Sequence, residues 1–190
     1  NDAAVSSTTL EKMEQELPQA ARLLAPVLGL TSIGYACTSG SSIIGEARVN
    51  QILKSIHPGV PSSNPLEAAK AAFLALGVSR IGLVTPYTAD VTRSVEDNFS
   101  KSGIAVSVVG SFYENNDLKV GKITEKSILK AAISVGQDPR CEAVFISCTS
   151  LRSAKVIAKA EAQLGKPVIS SNYALAWHLL RLAGIHDKAP

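Results

Sequence analysis

The chain has 190 residues, 46% of them hydrophobic and 18% charged, with 19 Lys and Arg against 16 Asp and Glu. That length and apolar content suit one domain, or two small halves, around a real core, and they exclude disorder over most of the chain. The net charge of +3 is scattered, with no Lys/Arg run to make a nucleic-acid surface, and no apolar run reaches the roughly 18 residues of a membrane span.

The opening Asn1-Asp2-Ala3-Ala4 shows neither the basic nor the apolar region of a signal peptide. The three cysteines, Cys37, Cys141 and Cys148, are odd in number and lack a C-x-x-C, so neither a disulfide framework nor a zinc site is indicated. A reducing cytoplasm is the expected location.

Thr8-Thr9-Leu10-Glu11 reads as a capping box, opening a helix that runs toward Leu24 with apolar spacing at Leu10, Met13, Leu17 and Ala20. Residues 31–36 read as a strand, and about 46–55 as a helix stopped by His57-Pro58-Gly59. Asn64-Pro65-Leu66-Glu67 places a cap, a first-turn proline and a glutamate three residues on, so a helix starts there and ends at Gly77. Residues 80–84 form an apolar strand, 88–102 an amphipathic helix closed by Gly103, and 104–109 a β-rich run. Residues 112–123 are the one long irregular stretch. Beyond them the pattern predicts a helix from the cap Thr124 to about Val135, a strand over 143–147 and a helix over 150–164. A strand over 168–171 and a helix over 173–183 complete the chain.

These strands are apolar without strict alternation, and helices follow them. The pattern predicts an α/β fold built on parallel sheets flanked by helices. Cys37-Thr38-Ser39 and Cys148-Thr149-Ser150 repeat one tripeptide at two strand-to-helix junctions. Each half also holds a second polar junction, Thr85-Pro86-Tyr87-Thr88 in one and Ser170-Ser171-Asn172-Tyr173 in the other. The chain therefore reads as two similar halves.

Ligands of open parallel sheets bind beyond the carboxyl ends of the strands. Here those ends are rich in hydroxyl and N–H donors and nearly free of charge, which suits a small anion such as a carboxylate or phosphate. Both Cys37 and Cys148 are expected at helix N-termini, a setting that promotes thiolate. Two thiols across such a pocket can do paired acid/base or nucleophilic work. A strand-end cysteine can also be a small buried hydrophobe; the paired placement favours chemistry for Cys37 and Cys148, and packing is the reading for Cys141.

Tyr87 serves either as a donor to a ligand carboxylate or as an aromatic lid on the sheet. Asn172 reads as a helix cap, Arg152 as a solvated arginine, and His178 as a packed or surface side chain rather than a base. His57 and His186 receive no role. With no G-x-G-x-x-G, G-x-x-x-x-G-K-[ST], H-E-x-x-H or G-x-S-x-G, nothing points to a nucleotide, metal or flavin, and the expected chemistry needs no cofactor.

Four segments carry a family resemblance. They are Gly34-Tyr35-Ala36-Cys37-Thr38-Ser39-Gly40, Leu83-Val84-Thr85-Pro86-Tyr87, Phe145-Ile146-Ser147-Cys148-Thr149-Ser150-Leu151-Arg152 and Lys166-Pro167-Val168-Ile169-Ser170-Ser171-Asn172. Together they resemble the maleate cis–trans isomerase group of the aspartate/glutamate/hydantoin racemase superfamily, to which arylmalonate decarboxylase is related. The Cys-Thr-Ser-Gly, Ser-Cys-Thr and Ser-Ser-Asn wording is similar to its ectoine-utilisation branch.

The resemblance implies two α/β halves with the site between them, residues 1–64 with 167–190 against 65–166, and a first strand lying ahead of residue 1. It implies a homo-oligomer, no cofactor, and a small carboxylate or dicarboxylate substrate. By position, Cys37 matches the cysteine that adds to the double bond and Cys148 the one that handles the neighbouring proton. Thr38, Ser39 and Thr149 match the carboxylate-binding donors, and Tyr87 matches a carboxylate-contacting tyrosine. The decarboxylase keeps only the second cysteine, so Cys37 argues for isomerisation or racemisation. A carboxylate-binding module without turnover is the alternative from another class. A thiol redox protein is disfavoured by the missing C-x-x-C.

Overall fold

The computed structural model describes residues 3–24 and 29–187. Helix α1 (Ser7–Arg22) starts earlier than the Thr8-Thr9-Leu10-Glu11 reading placed it. Ser6 is the cap: its Oγ accepts the Thr9 N–H at 3.3 Å while Thr9 Oγ1 accepts the Ser6 N–H at 3.0 Å. A threonine thus does the reciprocal work expected of Glu11. The end of the predicted helix, toward Leu24, frays after Arg22.

Strand β1 (Ile33–Gly34) is much shorter than the predicted 31–36, because only two residues find a partner. That partner is β2 (Ser62–Ser63), in parallel register Ile33↔Ser62 and Gly34↔Ser63. Two serines carry no strand signal, so β2 escaped the sequence reading. Between them lie α2 (Thr38–Ile44) and α3 (Glu46–Ile56), separated by Gly45 at φ 94°, a left-handed angle that ends one helix before the next begins. Helix α4 (Pro65–Leu76) opens as predicted, with Asn64 Oδ1 accepting the N–H groups of Leu66 and Glu67, both at 3.1 Å.

Then follow β3 (Arg80–Thr85), α5 (Ala89–Lys101) and β4 (Ala105–Ser111). The stretch 112–123 holds the short helix α6 (Asp117–Val120) where none was predicted. Helix α7 (Glu125–Gly136), capped by Thr124, leads to β5 (Ala143–Ile146). Helix α8 (Ala154–Leu164) begins four residues later than expected, and β6 (Val168–Ser170) runs directly into α9 (Ser171–Leu182).

The main sheet is parallel throughout, in the order β4-β3-β5-β6. Its central strands β3 and β5 are buried, apart from Arg80 at the start, because both faces are covered. Successive residues of β5 show the two faces. Phe145 meets Phe73 of α4 and Phe99 of α5 edge-on, at centroid distances of 6.0 and 5.3 Å. Its neighbour Val144 faces α7 so closely that a Cβ on Gly136 would lie 2.8 Å from it and 2.5 Å from Leu164.

A smaller core joins Leu17 and Ala21 of α1 to Ile33, Tyr35 and the apolar face of α3. Residues 168–182 serve both sheets: β6 extends the large one, and α9 packs on α4 and against β1 and β2. Among the described residues no helix is long and apolar enough to cross a membrane.

Candidate active site

Two loops bring the site together, one after β1 and one after β5. In the first, Cys37 is the N-cap of α2, with extended backbone at φ −137°. Its Sγ accepts the Gly40 N–H at 3.3 Å and lies 3.7 Å from Ser39 Oγ. Ser41 Oγ donates to the Cys37 carbonyl at 2.6 Å, fixing the turn. Only glycine fits at position 40, since a Cβ there would stand 2.3 Å from Tyr35 Oη and 3.1 Å from Cys37 Sγ. Tyr35 is thus a close neighbour of Cys37. Its own burial, then the nearby thiol, push its phenol far above the ordinary tyrosine range.

In the second loop Cys148 is 7% exposed and holds φ 100°, a left-handed angle that costs a non-glycine residue about 1–3 kcal/mol. That angle prevents a helix from starting at the cysteine; α8 begins only at Ala154. The sequence expectation of both thiols at helix N-termini therefore holds for Cys37 and fails for Cys148. Its thiol is pushed up to about 11, chiefly by burial, with a smaller contribution from the negative charges of Asp117 and Cys37. The Ser150 N–H and the Tyr87 hydroxyl lie toward the sulfur and oppose that rise, the hydroxyl without the geometry of a full hydrogen bond.

Ser171, the first residue of α9, ties the loops together. Its Oγ accepts the Cys148 N–H at 3.0 Å and the Thr38 hydroxyl at 2.8 Å, and all three residues are buried. Asn172 Nδ2 donates to the Thr149 carbonyl at 3.0 Å, and Thr149 Oγ1 donates to the Ala36 carbonyl at 3.0 Å. The start of α9 therefore clamps the strained Cys148–Thr149 segment and stitches it to the Cys37 loop. Asn172 does not cap its helix; Ser170 does, through the Tyr173 N–H. The Ser170-Ser171 pair was visible as a polar junction, but nothing in it showed that the second serine would reach both loops.

A cavity of about 80 Å³ lies between the loops, lined by Cys37, Thr38, Ser39, Tyr87, Cys148 and Thr149. All six predicted site residues therefore meet at one place. Among the described residues, the N–H groups of Thr38, Ser39 and Thr149 have no acceptor.

Tyr87 sits on the wall at 2% exposure, and its Oη and the neighbouring Ser147 Oγ are buried without a hydrogen-bond partner among the described residues. Burial, then the charges of Cys148 and Cys37, raise its phenol well above the ordinary value, so it stays a donor. Two orphaned hydroxyls beside two thiols mark a place where stability has been given up for something other than packing.

The roof was not foreseen. Ala4, Val5, Thr9, Leu10 and Met13 come from the N-terminal segment and α1, and Asp117 from α6. The Val5 N–H donates to the Asn115 carbonyl at 2.7 Å and the Asp117 N–H to the Ala3 carbonyl at 2.9 Å, so two segments far apart in sequence close one lid. No local motif signals that pairing.

The residues set aside are elsewhere. Cys141 is buried, with its Sγ donating to the Val135 carbonyl at 3.6 Å. His178 Nδ1 shares a 2.7 Å hydrogen bond with Ser63 Oγ, and His57 Nε2 meets the Ala21 carbonyl at 2.7 Å. Arg152 is exposed. Among the described residues no group of His, Cys, Asp and Glu could hold a metal ion.

Parallel α/β layers with a cysteine loop from each of two sheets define the class. The chain belongs to the arylmalonate decarboxylase family, whose sequence model matches residues 3–190. It is similar to the maleate isomerase of Alcaligenes faecalis, 23% identical over 168 residues that cover 85% of this chain and 66% of that protein. The chain thus spans about two thirds of that relative.

In structure it matches a variant of the maleate isomerase of Pseudomonas putida S16 solved with maleate. The TM-score is 0.90 at 23% identity, covering 100% of this chain and 78% of the other. It also matches a variant of the Nocardia farcinica maleate cis–trans isomerase carrying a covalently bound succinylcysteine intermediate. There the TM-score is 0.87 at 22% identity, covering 96% and 77%.

Proposed function

We propose that the chain is a cofactor-independent isomerase or racemase of a small carboxylate, with Cys37 and Cys148 as its reacting groups. The observation that carries this reading is that two thiols, following strands of different sheets, line one cavity beside three N–H groups free to bind an anion. Thr38, Ser39 and Thr149 supply those donors to a substrate carboxylate, and the Tyr87 hydroxyl adds another. The division into halves, 1–64 with 167–190 against 65–166, belongs to the same reading, as do a homo-oligomer and a reducing cytoplasm that keeps the thiols free.

On a maleate-like substrate the Cys37 thiolate forms a C–S bond to one alkene carbon while the Cys148 thiol gives its proton to the other. The former double bond is then a single bond and turns. The Cys148 thiolate takes a proton back, the C–S bond breaks, and the trans isomer leaves. The Gly40 N–H donates to Cys37 Sγ, while a Cys148 thiol near 11 is protonated at neutral pH, as a proton donor must be. A succinylcysteine, the adduct carried by the Nocardia farcinica variant, is what such an addition leaves. In a racemase the same pair removes a proton from one face and returns one to the other.

Proton NMR in D₂O tests this. Fumarate formed from maleate, and absent with Cys37→Ala, is the expected outcome for isomerisation. Exchange of an amino acid's α-hydrogen with maleate untouched selects the racemase. Silence on every substrate, with saturable carboxylate binding, would replace both by a binding module.

A further inference from the structure

The cavity wall carries a charge that a carboxylate pocket does not need. Asp117 lines it together with Cys37, Cys148 and Tyr87, and it is the one formally charged residue on that wall among the described residues. It is half-buried, and among the described residues no hydrogen bond or ion pair engages its carboxylate. Its backbone is held in place by the Ala3 carbonyl on one side and by the Gly121 N–H, which donates to the Asp117 carbonyl at 3.0 Å, on the other. The charge is felt across the cavity at Cys148.

A partly desolvated carboxylate facing a ligand repels a second anion and attracts a cation or an N–H donor far more than it would in water. The same cavity is lined by groups of the other kind, the N–H groups of Thr38, Ser39 and Thr149, which have no acceptor among the described residues. The cavity therefore holds anion-binding donors and an anionic group together.

Resting on the function proposed above, we infer that the substrate carries one carboxylate, held at Thr38, Ser39 and Thr149, and a cationic amine that faces Asp117. Its class is the small amino-carboxylates rather than the dicarboxylates. Asp117 is then the residue that sets this choice, and a dicarboxylate meets it as a like charge. The competing explanation is that Asp117 serves only as a first-turn acid for the four-residue helix α6.

Protection of Cys37 from iodoacetamide, read peptide by peptide in a mass spectrometer, separates these without needing turnover. The full chain is titrated with β-alanine and with succinate, which share a carboxylate and a two-carbon spacer and differ at the far group. The expected result is half-protection by β-alanine at a concentration at least about tenfold below that of succinate. Asp117→Asn should bring the two within about twofold, by weakening β-alanine and strengthening succinate. Asp117→Glu, which keeps the charge, should retain the preference, and the strengthened protection of Cys37 by succinate in Asp117→Asn shows that the asparagine variant has kept its fold.

Equal protection by both ligands, or a preference for succinate, overturns the inference while leaving the site standing. A preference for β-alanine that survives Asp117→Asn does the same. If neither ligand protects Cys37, the cavity does not bind carboxylates, and the proposed function fails with the inference.

Discussion

The loops after β1 and β5 carry the same three residues, Cys-Thr-Ser, and hold their thiols in opposite ways. Cys37 is half-buried, has ordinary extended backbone and caps a helix whose first N–H groups point at its sulfur or stand free. Cys148 is buried, has a left-handed backbone and no helix behind it. The first environment leaves the sulfur accessible beside a backbone N–H donor, and the second, by burial, favours a proton. Repetition in sequence has placed two identical groups at related points of the fold, and the local backbone has then given them different surroundings. The proposed addition and elimination would use that difference as a division of labour, one thiol attacking while the other donates.

The largest effect that would break this comparison is in reactivity. At pH 8 a thiol near 11 is about 100-fold less ionised than an ordinary one near 9. Cys148 in the folded protein should therefore alkylate at least about 100-fold more slowly than in protein unfolded by guanidinium. The gap should close as pH rises through 11, because burial raises the folded-state value and the proton is lost only there. Cys37 in the same sample should label first, being the more exposed. Equal rates for the two cysteines at pH 8 would remove the asymmetry altogether.

Next in size is the clamp. Ser171→Ala leaves the buried Cys148 N–H without an acceptor and frees the Thr38 hydroxyl, a loss of about 2 kcal/mol measurable by urea denaturation. Turnover should fall with it, since Ser171 is the residue of α9 that bonds the Cys148 N–H directly and so supports φ 100° there. Ser171→Thr keeps the oxygen and should recover most of both. If the alanine variant unfolds at the wild-type urea concentration, the left-handed turn is self-supporting and the comparison loses its structural cause.

The order of elements was legible because each has a local cause. Asn64-Pro65 and Thr124 announce helices by capping, and 80–84 and 143–147 announce buried strands by apolar runs. The six site residues were legible for a similar reason: strand ends in parallel sheets converge, so a cysteine tripeptide at two such ends meets itself. What stayed hidden depends on pairing at a distance. Strand β2 exists only because β1 lies beside it, and the lid exists only because Ala3 and Val5 find Asn115 and Asp117. The split between the cysteines was hidden too, since the backbone of Cys148 at φ 100° is bonded by Ser171, 23 positions on, and no local motif signals that contact.

The two threonines that follow the cysteines sharpen the comparison with the smallest effect. Thr38 is buried and its hydroxyl ends on Ser171, whereas Thr149 is half-exposed and its hydroxyl ends on the Ala36 carbonyl. Thr149→Val keeps the shape and removes one hydrogen bond that water can partly replace, so stability should drop by only about 0.5–1 kcal/mol. The Thr149 N–H, free of any acceptor among the described residues, is untouched by the change. If the N–H holds the substrate carboxylate, KM should stay within about twofold while kcat falls slightly as the two loops loosen. A tenfold rise in KM would instead mean that the hydroxyl leaves Ala36 to bind substrate. The second loop would then bind through its side chain where the first binds through its backbone, and the division of labour would extend from the thiols to the residues beside them.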